Sequence, residues 1–310
     1  MAIIKKSFAR IFVAALFLLP AQISLAGEMK SGEVNWVQGY ITAIGNGTAT
    51  PSGNRVKDKL RATRVAELVA QRTLLETIKG VKIDSSTRVE DLIVKKDIVD
   101  SHVAGIIKDA QIIKREVNWE DNIPLATVEL RVCLSNGIEG CSIGNSLMNV
   151  LNIDHKNEPS YVPQERLITP IDVKKEPIPL LPEIQKKSIT YDLNKPVTGV
   201  IFDLEGRAFE RQLLPVIITL AYGNKQVTVY SVKSVKPSVI RSYGVVRYTD
   251  SREQAIRNPY ITGNIVVIPV ADVTKENMIV IDSEAAHVLY ETTMHGNEYL
   301  SEAKVIISSN

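Results

Sequence analysis

Gly140-Cys141-Ser142-Ile143-Gly144 has the Gly-x-Ser-x-Gly form of a nucleophile elbow. Asp154 and His155 follow it in the chain order of an α/β-hydrolase triad, so the chemistry on offer would be acyl transfer. That motif works only between a strand and a helix of a large parallel sheet, and here a turn sequence precedes it. Adjacent Asp154 and His155 also place the acid badly for orienting the imidazole. A hydrolase is therefore the least supported reading. Gly45, Gly47 and Gly53 precede a helical pattern, but their spacing fits neither the dinucleotide fingerprint nor the P-loop. They read as a flexible turn. Of the histidines His102, His155, His287 and His295, only the last two share an element, two helical turns apart and with no third ligand nearby. No metal or cofactor is implied. Glu90 and Asp91 read as solvated, and Trp36 and Trp119 as core or hairpin anchors. Asn46-Gly47-Thr48 is a glycosylation sequon of a kind common by chance.

Cys133 and Cys141 bracket seven residues. In an oxidising compartment the pair is most simply a disulfide, closing a loop that turns at Asn136-Gly137. Loop closure of that length contributes roughly 2.5 kcal/mol in the chain-entropy picture. The compartment is read from the N-terminus. Lys5, Lys6 and Arg10 precede an apolar run from Ile11 to Leu19, and Ser24-Leu25-Ala26 then offers small residues for cleavage before Gly27. This is the pattern of a cleaved secretory signal over residues 1–26, with an uncleaved anchor as the alternative that its short apolar run disfavours. No cysteine lies near the cleavage point to carry a lipid. The mature chain is expected outside the cytoplasm, in the periplasm, with no later transmembrane segment. Loss of the leader lowers Lys plus Arg from 37 to 34 against 35 acidic residues, which removes any electrostatic case for nucleic acid.

Composition, 45% apolar and 23% charged, suits a globular core, and 310 residues give room for about two domains. Seven of the fourteen prolines lie between Pro159 and Pro196, so residues 155–195 read as a semi-rigid linker. The first domain spans 33–151 and the second 196–308. The expected fold class is α+β: a small antiparallel sheet with two helices on one face, followed by a strand-rich α+β domain. The first domain begins with a strand over Trp36–Ile44, ended by a Gly45-Asn46-Gly47 turn. A helix follows over Lys57–Lys79, with Gly80 as its C-cap. A second helix over Lys95–Ile107 leads to a hairpin, Gln111–Trp119 and Pro124–Cys133, turning at Glu120-Asp121-Asn122. In the second domain the strands are Thr198–Phe202, Val216–Leu220, Val227–Tyr230, Asn264–Val270, Met278–Ile281 and Lys304–Ser308. Helices follow over Arg252–Arg257 and Glu284–His295, the latter with Asp282 or Ser283 as N-cap and Gly296 beyond. The Ile265–Ile268 run predicts a strand buried on both faces.

The long helix carries two stripes. Ala62, Ala66, Val69, Ala70, Thr73 and Thr77 form a small-residue stripe suited to close packing on a sheet. Leu60, Leu68, Leu75 and Ile78 fall on another face, which either packs against the next helix or forms a subunit contact.

Three segments carry a family resemblance: Gly39-Tyr40-Ile41-Thr42-Ala43-Ile44-Gly45-Asn46-Gly47, the helix end Arg72-Thr73-Leu74-Leu75-Glu76-Thr77-Ile78-Lys79-Gly80-Val81, and Val103-Ala104-Gly105-Ile106-Ile107-Lys108-Asp109-Ala110. The first domain resembles the bacterial envelope family that contains the flagellar protein FlgP, the N-terminal domain of FlgT and small surface lipoproteins. The resemblance implies a non-catalytic protein of the periplasm or outer membrane that builds or supports rings around the flagellar motor, on a helix-on-sheet fold. It also implies homo-oligomers or envelope and flagellar partners. The residues it picks out are packing ones: Gly39, Gly45, Ala66, Leu74, Leu75, Gly80 and Gly105. The expected function is thus structural or assembly, with a periplasmic ligand-binding module and a hydrolase as the alternatives.

Overall fold

The computed structural model describes residues 31–309, except 96, 139, 142–143, 153–188, 190, 222–224 and 295–296. The expected signal sequence, most of the proline-rich stretch, Ser142, Asp154, His155, His295 and Gly296 lie outside the described residues. The fold is α+β, built among the described residues on three four-stranded sheets.

The first sheet is antiparallel, in the order β1 (Gly32–Asn35), β2 (Tyr40–Thr48), β4 (Ile123–Cys133), β3 (Gln111–Glu120). Trp36 does not open a strand. It sits in the turn between β1 and β2, closed by Gly39 in the left-handed region and by Gly39 N–H donating to Asn35 O. The β3–β4 turn also departs by one residue from expectation. Asp121 and Asn122 both take positive φ, the two-residue turn whose twist matches the hairpin.

Helix α1 (Arg55–Gly80) lies on this sheet. Asn54 caps it, its side chain accepting from Lys57 N–H. It ends at Val81, whose extended backbone stops the helix. Gly80 is the last helical residue and does not cap by a left-handed turn. Gly45 and Gly47 do not end the strand either. Both lie inside β2 beneath α1, where a Cβ on Gly45 would collide with Ala66 O and Ala70 N, and one on Gly47 with Ala62 O and Ala66 N. The glycines of the strand and the alanines of the helix are two halves of one close contact. Helices α2 (Val89–Lys95) and α3 (Asp97–Lys108) then pack against α1, and the short α4 (Leu147–Val150) packs on α3.

Beyond the proline-rich stretch stand two further sheets. One is parallel throughout, in the order β8 (Arg247–Thr249), β12 (Val305–Ser308), β5 (Val197–Asp203), β9 (Asn264–Pro269). The other is mixed, in the order β10 (Asp272–Val273), β11 (Ile279–Ile281), β6 (Ile217–Ala221), β7 (Lys225–Tyr230). Strand β9 is an edge strand, with Val266 and Ile268 buried and Ile265 and Val267 only partly covered, so its apolar run does not mark a central strand. Helix α5 (Pro237–Tyr243) precedes β8, α6 (Arg252–Ile256) packs on the parallel sheet, and α7 (Ser283–Met294) packs on β6. Asp282 caps α7, its carboxylate accepting from Ala285 N–H at 2.7 Å.

Among the described residues no sheet joins strands from both sides of the proline-rich stretch, but the core spans both sides. The described residues form one compact unit, with a hydrophobic cluster running from Ile41 and Ala66 through Leu147 to Phe202 and Ile307. The seam is specific. Leu213 and Leu214 N–H donate to Lys82 O and Ile83 O, Lys82 Nζ pairs with Glu210 at 2.6 Å, and Trp36 meets the buried Tyr248 edge-on at 5.6 Å. Among the described residues no helix is long and apolar enough to cross a membrane.

Candidate interaction face

The outward side of α1 is the most distinctive surface that the residues build. Its inward side is set by Asp58, Ala62, Ala66, Ala70, Leu74 and Ile78, all buried and spaced by four. Four residues advance about 400°, so that line drifts about 40° per step around the helix. A helix lying along a twisted sheet follows such a line rather than a straight stripe. Leu60 and Ile78, separated by about five full turns, project to the same point of a straight wheel, yet Leu60 is 66% exposed and Ile78 is 0% exposed. The subunit-contact face expected at Leu60, Leu68, Leu75 and Ile78 is corrected accordingly. Ile78 belongs to the core and Leu75 is partly buried against it, while Leu60 and Leu68 stand outside. Val69, expected in the inward stripe, is exposed; Thr73 and Thr77 lie over Gly32 at the sheet's edge.

Two residues absent from that expected face complete the outer surface. Val56 is 69% exposed, one turn before Leu60, and Val65 is exposed beside them. Val56, Leu60 and Leu68 share one i+4 row, with Arg64 between the last two. The same spacing rule applied outward from the buried line would have found Val56. Asp58 is turned inward, where Ser52 Oγ and Ser52 N–H both donate to its carboxylate, at 2.7 and 2.8 Å. Those bonds, the side-chain one first, hold its pKa below the usual carboxylate value. Farther along, Glu67 pairs with Arg64 and with Arg115 of β3, and Arg55 lies over Trp119. The helix is thereby pinned to the sheet on its β3 side while its crest stays bare. Strand β3 is one of the sheet's two edge strands, unpaired on its outer side among the described residues, and Ile112 and Ile113 are exposed on it at a bulge.

Cys133 and Cys141 form the expected disulfide, with Cα atoms 6.0 Å apart. It closes a loop that reaches across the seam: Gly137 N–H donates to Ser242 O, and Arg247 Nη2 donates to Gly137 O. Gly140, inside this loop, and Gly144, beyond Cys141, both have positive φ, and Ser142 between them lies outside the described residues. His102 is exposed on α3, and His287 lies 3.7 Å from Glu291 on α7. Among the described residues no three His, Cys, Asp or Glu side chains are grouped to hold a metal. Asn46 accepts a hydrogen bond from Thr127 across the sheet. A cavity at the seam, lined by Trp36, Met148, Leu213 and Tyr248 among others, holds about 30 Å³, room for one or two waters.

The family described as Treponema pallidum Tp0624, second domain, matches residues 199–310, a little over a third of the chain. The match begins inside β5 and takes in both sheets beyond the proline-rich stretch, so the similarity covers the C-terminal lobe. No curated protein matches the chain.

Proposed function

We propose that this chain is a non-catalytic structural or assembly component of the bacterial envelope, exported to the periplasm and acting through its surfaces. The observation that carries the reading is the bare crest of α1. Large apolar side chains stand in water on a helix whose opposite side is locked to the sheet by glycine–alanine contact. Exposed apolar rows on rigid elements mark interaction sites. The outer edge of β3 offers a second route, since an unpaired strand edge is a template for pairing with another chain. The Gly45–Ala66 contact joins two residues of the flagellar-family resemblance, which supports extending the reading to ring- or scaffold-building proteins. The disulfide between Cys133 and Cys141 fits an oxidising compartment.

Light scattering of the chain from Gly27, with cross-linking in the envelope, tests the reading. Self-association or a cross-linked envelope partner is expected. A monomer at high concentration with no partner in the envelope contradicts it.

A further inference from the structure

We infer that the N-terminal half of α1 docks on anionic phospholipid headgroups, with Val56 and Leu60 entering the acyl boundary between flanking lysines and arginines. The inference rests on the envelope role proposed above and names a partner for the same helix.

Between Asn54 and Ala66 the helix shows water a crest of Val56, Leu60 and Arg64. At about 100° per residue, Lys57 and Arg61 fall on one flank of that crest and Lys59 on the other, and all three are exposed. The carboxylate of this stretch, Asp58, is buried and held by Ser52, with the charges of Arg61 and Lys57 adding to the lowering of its pKa. None of Lys57, Lys59 and Arg61 makes an ion pair with another described residue, and Arg64 has only the 3.4 Å contact to Glu67. Arg55 is turned to Trp119, beside the Glu120–Asp121 end of the hairpin, and is not counted. An apolar ridge with cations on both flanks is the pattern of a helix lying in a lipid interface, where long side chains reach headgroups while the ridge is buried.

Charge and shape choose among the occupants. A second copy docking face to face would set these cations against themselves, because a two-fold contact brings the same patch to both sides. An acidic protein would need a complementary wall, whereas the depression between Val56, Lys57, Leu60, Arg61 and Arg64 is shallow and open. A fluid anionic surface needs no wall and supplies negative charge wherever the cations lie.

The test is vesicle flotation of the chain from Gly27, so that the apolar leader contributes nothing. Vesicles rich in phosphatidylglycerol are compared with phosphatidylcholine alone. Binding is expected to the first only, weakening with salt. Each cation removed from the surface should weaken binding about fivefold, read with Lys57→Gln and Arg61→Gln. Leu60→Ser should weaken it about tenfold. Val56→Ser serves as a second apolar variant, and all four are required to melt like the parent. No flotation, or flotation unchanged by these substitutions, overturns the inference. So does a dimer in light scattering that Leu60→Ser dissolves, which would give the face to a second copy. Loss of vesicle binding with an envelope partner retained sinks this inference alone. Loss of both, with the chain recovered in the cytoplasm, sinks the proposed function beneath it.

Discussion

Replacing Gly45 by alanine should destabilise the protein, although the same change in an open strand should stabilise it. Glycine inside a strand normally costs about 0.5–1 kcal/mol relative to alanine, so propensity alone predicts a gain. The contact geometry predicts the reverse. An added Cβ would sit on the Ala66 carbonyl oxygen and the Ala70 amide nitrogen, and 2.9 Å from Ala70 Cα. Carbon atoms pack at about 3.5–4.0 Å, so α1 must lift by at least about 0.6 Å. All the near atoms are backbone, and no side chain can rotate away. A gap of that size forfeits roughly a quarter of the dispersion energy along the contact. Ala62, Ala66, Ala70 and Leu74 are fully buried along that line and would share the loss. Overpacking of this kind costs up to about 3 kcal/mol, or about 6–12 °C of melting temperature at this size. Thermal and urea melts by circular dichroism read it. Gly105→Ala is the control: that glycine lies inside α3 with nothing within 4 Å of its Cβ position. It should gain about 1 kcal/mol. A Gly45→Ala protein that melts at or above the parent temperature would refute the close-packing argument.

Cys141→Ser, or reduction of the parent, should cost roughly 2.5 kcal/mol and lower the melting temperature by several degrees; reduction that changes nothing would show the loop to be held by other contacts. Tyr248→Phe should cost about 1–3 kcal/mol, because the hydroxyl accepts from Gln212 N–H and donates to Gln212 O, and its loss strands a buried amide. Urea midpoints check it, and a neutral result would mean the seam relaxes. Asp58 has a lowered folded pKa, so its contribution is present above its unfolded pKa near 3.8 and is lost as pH falls through the folded value. Ser52→Ala should move that acid loss to higher pH, which an NMR titration of Asp58 reads directly.

Much of this architecture was legible in the chain because it rests on local patterns. The β3–β4 hairpin followed from alternation and a polar turn. Helix α1 followed from its small-residue periodicity, and α7 from its cap at Asp282. The misreadings share a cause: they concern contacts that a linear pattern cannot hold. Gly45-Asn46-Gly47 has turn composition, and only the alanines opposite reveal it as a strand that a helix approaches closely. Leu60 and Ile78 are equivalent on a wheel and opposite in the protein, because the buried line winds with the sheet. Strand β8 has three residues and α5 seven, too few for either period to show in the chain. The seam escaped altogether. Nothing near Lys82 announces that Leu213 will pair with it across a proline-rich interval. Of the expected contact face, Leu60 and Leu68 stand where periodicity put them, while Val56 lay in plain sight one turn earlier.

Photo-cross-linking from position 68 in living cells, read by intact mass spectrometry, tests the envelope-assembly account most directly. The account predicts a chain beginning at Gly27, with Cys133 and Cys141 joined, attached to a second copy or to another envelope protein. A chain that retains residues 1–26, with both thiols free and no adduct, would contradict it.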